Sequence, residues 1–445
     1  MSNTKSKAQR LKSIKRKRIV LTIIESLFAA LFIAVAVVAF VPSVRSQAAQ
    51  KLAESSFGKK IIKMFAKEKF DNTIYDSEFD EAIIETNDME YNYSGEYTEF
   101  IMFGIDSRDS TFDAGTNSDS MVIVSVHNTT GEVNMVSLYR DSYLRIYKND
   151  GSYYLDKLNS AYNVGGAAGA INTINKNLDL QLKDYVTVNF SGVAEIIDSL
   201  GGIEVNLTDE EVAQINKHLR STLSSTGEYS PKVTASGKNV HLNGLQATTY
   251  CRIRKTTFYD PENGSRVNDD FGRAARQRLV VMKLVDKAKK AGMTELQEMM
   301  NTVLKSSTDG QEQIIKTSFS MDEMVDMLPI IFKFSLGKSS GFPKKLTTKK
   351  IGTMDVVLPK GLSRNVKILH KFLYGEEEYV PTDAVEEISN DITYATGIGN
   401  DGGDDNVDDT VWGITDEEKE SQEILNDDYS DMNFDYDDKG ESEYY

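Results

Sequence analysis

The chain has 445 residues, 40% hydrophobic and 27% charged, which excludes disorder throughout and leaves room for up to about three domains. Its formal net charge of -17 argues against a general nucleic-acid binder. A single cysteine, Cys251, excludes an intramolecular disulfide framework, and the four histidines show no metal-ligand spacing.

Charge is unevenly placed along the chain. Residues 1–18 carry eight Lys or Arg and no acid, whereas residues 401–445 carry 18 Asp or Glu against two Lys. Between Ile19 and Val41 an apolar run is broken only by Thr22, Glu25 and Ser26. Such a helix spans about 34 Å, enough to cross a bilayer core of about 30 Å. The preceding basic cluster predicts a cytoplasmic N-terminus. A cleaved signal peptide would have a shorter apolar region, and Arg45 interrupts the approach to the small residues at 46–49, so the run predicts an uncleaved anchor. Residues 42–95 are polar with scattered apolar positions and predict a helical juxtamembrane stalk.

From Glu99 the pattern changes. Phe100–Ile105 is a short continuous apolar run of the buried-strand type. Met121–Val126 and Val133–Leu138 flank Asn128-Thr-Thr-Gly131 and predict a hairpin. Ala168–Leu178 predicts a helix, Tyr185–Asn189 a strand, Val193–Leu200 a helix and Ile203–Leu207 a strand. Thr249–Ile253 reads as another strand, and Gly272–Lys290 as a helix with Gly292 beyond its end. Strands alternating with helices predict an α/β fold, an α-β-α sandwich around a mixed central sheet. This α/β domain would occupy 96–290, with an extension over 291–383 and a disordered acidic tail over 384–445.

Polar residues suited to chemistry fall in five places. Gly104-Ile-Asp106-Ser-Arg108 ends one strand and Ser118-Asp119-Ser120 opens the next. Two carboxylates at adjacent strand ends suit a shared hard cation, or else satisfy the N–H groups of turns. Arg140 follows a strand in Ser137-Leu-Tyr-Arg140-Asp141. Arg252 and Arg254, read on one strand, would share a face and either bracket an anion or meet solvent. Asp270, Arg273 and Gln277 share one face of a helix start, which favours phosphate or is an ordinary charged first turn. Cys251 alternates with the arginines and reads as a buried, inert thiol.

These pieces occur in one order: GIDSR, SDSMVIVS, SLYRDSYL, KLNSAYNVGG, DYVTVNFSGVAEIIDSLGGIEV, LNGLQATTYCRIR and DFGRAARQR. Together they resemble the LytR-CpsA-Psr family across residues 96–290, and more loosely across 291–380. Asn117, Tyr139 and the long connection 255–269 depart from its usual pattern.

The resemblance implies a membrane-anchored extracellular transferase. It would take a teichoic acid or capsular polysaccharide from a polyprenyl-pyrophosphate carrier and attach it, as a phosphodiester, to a peptidoglycan acceptor. By the matching motifs, Asp106 and Asp119 would hold Mg²⁺ or Mn²⁺. Arg140, Arg252 and Arg254 would act on the pyrophosphate, Arg108, Arg273 and Gln277 would bind it, and Asp270 would be the general base for the sugar hydroxyl. Two other readings stand beside this one. A lipid-pyrophosphate hydrolase or carrier-binding protein would use the same groups. A membrane-tethered envelope regulator would need cytoplasmic machinery, and only about 18 residues face the cytoplasm by the positive-inside reading.

Overall fold

The computed structural model describes residues 74–399, apart from 91–92, 94, 106–111, 113, 227–228, 260–265, 291–301, 303–312, 325 and 328–334, together with Ser55 and Lys59. The expected anchor over 19–41 lies outside the described residues, and no described helix is long and apolar enough to cross a membrane.

Three strands open the domain: β1 (Tyr97–Ile105), β2 (Ser118–His127) and β3 (Glu132–Leu138). They pair antiparallel in sequence, and Gly131, at φ 73°, closes the expected hairpin. A second hairpin, β4 (Tyr143–Tyr147) with β5 (Tyr153–Lys157), precedes α1 (Ser160–Leu178) and β6 (Asp184–Asn189). Next come α2 (Phe190–Ser199), β7 (Ile203–Leu207), α3 (Asp209–Thr226), β8 (Gly237–Leu242) and α4 (Gly244–Tyr250). The short β9 (Phe258–Tyr259) and β10 (Arg266–Val267) lead into α5 (Asp269–Lys290). The chain closes with β11 (Ile315–Thr317), β12 (Ser335–Phe342), β13 (Leu346–Ile351), β14 (Met354–Pro359), α6 (Leu362–Tyr374) and α7 (Asp383–Thr396).

The central sheet has the order β11-β6-β1-β2-β3-β12. β6 runs parallel to β1 and β12 parallel to β3, while the other pairs are antiparallel, so the sheet is mixed as expected. Both faces are covered, which is why its inner strands read as continuous apolar runs. Ile101, Phe103, Ile123 and Leu138 face α1, α6 and α7. Val122, Val124 and Met135 face Met282 of α5. Each fully buried aliphatic side chain contributes about 1.5–3 kcal/mol. One edge of the sheet gathers the C-terminal ends of β1, β3, β6 and β12 with the N-terminal end of β2, because β2 alone among these five runs against the rest.

Three expectations are corrected. Thr249–Ile253 is not a strand: Gly244–Tyr250 is a helix, and a turn follows it. Asn243 and Gln246 form a capping box there, and all seven helical residues are buried. The β-branched Thr249 bonds back to the Leu245 carbonyl at 2.7 Å instead of facing a sheet neighbour. Gly244 is required by the close approach of α4 to α2, since a Cβ there would lie 2.0 Å from the Ala194 carbonyl oxygen.

The acidic tail does not begin at 384. Residues 383–396 form α7, capped by Thr382, with Val385, Ile388 and Ile392 buried in the core. Its apolar residues recur at helical spacing among acids, so composition alone hid the amphipathic face. Glu387 and Asp391 of this helix pair with Arg145, a residue only 4% exposed.

The described part of the stalk is not a helix either. Residues 74–90 hold only a 3-10 turn, Glu81–Ile83, and lie against the domain. Tyr75 bridges to Thr317, and Asn87 donates to the carboxylate of Asp179 at 2.7 Å. Far from the edge that gathers the strand ends, Glu99 accepts the Tyr374 hydroxyl at 2.8 Å, and burial pushes its carboxyl up to about 7.

Candidate active site

Arg140 leaves the end of β3 in a loop pinned on three sides. The Tyr139 N–H donates to the Phe342 carbonyl of β12 at 2.9 Å. The Val357 N–H of β14 donates to the Asp141 carbonyl at 2.8 Å, and the Asn159 N–H to the Arg140 carbonyl at 3.0 Å. Tyr139 packs edge-on against Phe271, with ring centroids 4.6 Å apart. This placement requires Gly341 of β12, where a Cβ would meet the Tyr139 hydroxyl oxygen at 2.0 Å. A loop so held presents the Arg140 guanidinium with little freedom left to lose on binding.

Asp270, in the first turn of α5, is the hub. Its Oδ2 lies 3.0 Å from Arg140 Nε and 3.0 Å from Arg273 Nη2, and its Oδ1 lies 3.1 Å from Arg254 Nε. Arg140 also pairs through Nη1 with Asp119 at the start of β2. Asp141 stands 3.7 Å from Arg140 Nε and is itself held by Lys157 Nζ at 2.9 Å. Arg273 Nη2 donates to the Asp119 carbonyl at 3.3 Å. Four cations and three carboxylates therefore interleave at one end of the sheet.

The two central arginines differ in their surroundings. Burial would lower Arg140, but Asp270, Asp119 and Asp141 outweigh it and hold its guanidinium above the ordinary value. For Arg273 burial wins, reinforced by Arg140 and Arg254, and its guanidinium is pulled down to about 10 despite Asp270. Its Nε is buried without an acceptor. A desolvated guanidinium left short of acceptors favours an added anion, since the donor's lost hydration is otherwise uncompensated.

The cluster lines an open cleft of about 340 Å³. Gln277 lies one further turn along α5 on the cleft wall and donates to the Cys251 carbonyl at 3.4 Å. Of the residues singled out in the sequence, Asp119, Arg140, Arg254, Asp270, Arg273 and Gln277 converge here. Arg252 stands apart: its guanidinium lies 4.4 Å from the Phe190 ring centroid and donates to the Thr222 hydroxyl at 3.1 Å. The two arginines do not share a strand face, because the segment is a turn after α4. Asp106 and Arg108 lie outside the described residues. Cys251 is buried, which pushes its thiol up to about 12 and leaves it inert, as its reading anticipated.

Three contributors have no role in the sequence reading. Asp141 and Lys157 stand inside the quoted motifs SLYRDSYL and KLNSAYNVGG, where adjacency to Arg140 was the available signal for Asp141 and only the fold brings Lys157 to it. Val357, on the cleft wall, carries no sequence signal at all, since a hairpin more than 200 residues away brings it there.

A family model described as the LytR_cpsA_psr family matches residues 63–326. Over 194 residues the chain is 36% identical to biofilm regulatory protein A of Streptococcus mutans, covering 42% of this chain and 43% of that one. Over 229 residues it is 31% identical to the polyisoprenyl-teichoic acid–peptidoglycan teichoic acid transferase TagU of Bacillus subtilis, covering 51% and 61%. The chain thus spans less than two thirds of the length of either relative. A crystal structure of a Streptococcus agalactiae protein has the same fold, with a TM-score of 0.50 at 21% identity over 67% of this chain and 95% of that one.

Proposed function

The chain belongs to the LytR_cpsA_psr family, and from that premise we propose that it is an extracytoplasmic phosphotransferase. It moves a glycopolymer of teichoic-acid or capsular type from a polyprenyl-pyrophosphate carrier to a peptidoglycan hydroxyl. The observation that carries this reading is the convergence of Arg140, Arg254 and Arg273 on Asp270 in an open cleft, with the Nε of Arg273 buried without an acceptor. The teichoic acid transferase named above, 31% identical to this chain over 229 residues, supports the same reading.

Guanidinium forks match phosphate oxygens, and attack on a pyrophosphate spreads charge over those oxygens. Pyrophosphate oxygens take over the donors that Asp270 and Asp119 now occupy. That exchange frees one oxygen of Asp270 to accept the proton of the acceptor hydroxyl. The acceptor oxygen then bonds to the glycan-linked phosphorus, the bridging P–O bond breaks, and prenyl phosphate leaves with its charge on Arg140 and Arg273. Positioned cations of this kind typically supply about 10²–10³-fold each.

The donor chemistry of Asp119 fits a hard divalent cation, which takes one or two carboxylates plus phosphate oxygens. Asp119 together with Asp106 would hold Mg²⁺ or Mn²⁺, which when bound neutralises charge on the phosphates. Among the described residues no group of three His, Cys, Asp or Glu is placed to hold a metal ion by itself, and phosphate oxygens would supply the remaining ligands. The basic segment 1–18 and the apolar run 19–41 support a cytoplasmic N-terminus and a cleft outside the cell.

The test mixes the full-length protein with a polyprenyl-pyrophosphate glycan and peptidoglycan. A covalent phosphodiester conjugate and free prenyl phosphate are expected, both lost in Asp270→Asn. Release of free glycan phosphate without conjugate would make the protein a hydrolase instead.

A further inference from the structure

Three carboxylates surround Arg140, and they do not hold it alike. Asp119 pairs with Nη1, and Asp270 Oδ2 accepts from Nε at 3.0 Å. Asp141, the next residue in the chain, stops 3.7 Å from the same Nε, beyond hydrogen-bond reach. Nε carries a single hydrogen, so Asp270 and Asp141 compete for it.

Lys157 is what restrains Asp141. Its Nζ lies 2.9 Å from the other carboxylate oxygen, Oδ1, and among the described residues it pairs with no second acid. Both side chains are about a quarter exposed, so solvent screens the pair less than it screens a surface one. The backbone around them is held independently of either side chain. Lys157 ends β5 opposite Tyr143 of β4. The Leu158 N–H donates to the Ser142 carbonyl at 2.8 Å, the Asn159 N–H to the Arg140 carbonyl at 3.0 Å, and the Val357 N–H to the Asp141 carbonyl at 2.8 Å. The ion pair therefore sets where a carboxylate goes more than where the loop goes. That choice matters when an anion enters. Pyrophosphate that displaces Asp270 from Nε leaves this donor 3.7 Å from Asp141, close enough for a small rotation to capture it. Asp141 also lines the cleft, where its charge without Lys157 would repel phosphate.

We infer that Lys157 is a positioning residue: by holding Asp141 Oδ1 it keeps that carboxylate off Arg140 and leaves the guanidinium open to the pyrophosphate. Lys157 acts through Asp141 and Arg140, not by touching phosphate. The inference rests on the pyrophosphate reading of the cleft and adds a residue that none of the expected site residues includes.

The test is calorimetric titration of inorganic pyrophosphate into the full-length protein in detergent micelles. Parent, Lys157→Met, Asp141→Asn and the double variant are compared, with melting temperatures measured in parallel. Methionine keeps most of the length of lysine without its charge. Lys157→Met should bind pyrophosphate about tenfold more weakly. Asp141→Asn should bind it about threefold more tightly, because a competing carboxylate is gone and Lys157 remains. The double variant should recover most of the loss, since a neutral residue 141 leaves Lys157 nothing to restrain. A pair that only supports the loop would weaken binding in both single variants and lower both melting temperatures. A lysine that binds phosphate itself would leave the double variant as weak as Lys157→Met. Either result overturns the inference, as does equal binding by all four proteins or a parent that binds no pyrophosphate. If Lys157→Met does not fold, the sign of the Asp141→Asn effect decides alone. Conjugate formation is scored separately: a parent that binds pyrophosphate but makes no conjugate refutes the transferase reading, while the variants still decide the role of Lys157.

Discussion

Arg273 and Arg276 stand one turn apart on the same helix, yet they do opposite things. Arg276 is fully buried and satisfied: Nε and Nη2 reach Glu211 Oε1 at 3.0 and 2.9 Å, and Nη2 also reaches the Thr256 hydroxyl at 2.5 Å. It ties α5 to α3 and to the turn after α4. Arg273 shares one carboxylate with two other arginines, lines the cleft and keeps a buried donor without an acceptor. Arg145 belongs with Arg276 in having carboxylates of its own, Glu387 and Asp391, although its Nε, like that of Arg273, is buried without an acceptor. A guanidinium with a carboxylate of its own holds the fold together. One that competes for a shared carboxylate is poised for an incoming anion.

The largest effect expected from this contrast is on truncation. Ending the chain at Thr382 removes three buried aliphatic residues, at about 1.5–3 kcal/mol each, and leaves Arg145 a buried charge without its acids. Loss of a cooperative melt by circular dichroism is expected, whereas ending the chain at 400 should leave the melting temperature unchanged. Normal melting of the shorter chain would undo the structural assignment of Arg145.

The direct comparison comes next. Arg276→Ala should cost about 3–5 kcal/mol in chemical denaturation by stranding Glu211. Arg273→Ala should lower conjugate formation about 10²–10³-fold with stability altered far less. Similar stability losses in the two variants would erase the distinction.

A finer version concerns geometry. Lysine keeps charge but not the bidentate fork, so Arg254→Lys, beside Asp270, should lose more activity than Arg252→Lys, which rests on Phe190 and Thr222. Steady-state transfer rates check this. Equal losses would mean that Arg252 also swings onto the pyrophosphate.

The smallest effect is a pH dependence away from the cleft. Glu99 has its folded value raised from 4.5 to about 7, chiefly by burial. Its contribution to stability is therefore fully present below about 4.5 and is lost as pH rises to about 7. Over that window the loss is on the order of 1–3 kcal/mol. Denaturant midpoints from pH 5 to 8 should fall less steeply in Glu99→Gln, with transfer rates unchanged at fixed pH.

Much of the central sheet was legible because its strands are apolar and continuous, and Asn128–Gly131 marks its hairpin. The cleft cluster was legible as residue types: Asp119, Arg140, Arg254, Asp270, Arg273 and Gln277 all lie in motifs readable along the chain. The misreadings share one cause. Thr248 and Thr249 favour strands locally, but the Asn243–Gln246 box and packing against α2 impose a helix. Residues 383–396 look like acidic tail, yet Val385, Ile388 and Ile392 form one buried stripe.

What the sequence determined by itself was local: apolar periodicity, the cap and turn residues, and the charges at strand ends. Those depend on near neighbours and can be read from them. Only the tertiary structure decided which charges share a partner. Asp270 gathers Arg140 and Arg254 from loops 130 and 16 residues away, and Val357 reaches the same cleft from a C-terminal hairpin. Whether an arginine is saturated or left short is set by which carboxylates the fold brings within about 3 Å of it, and Coulomb and hydrogen-bond energies at that range depend on three-dimensional separation, not on distance along the chain.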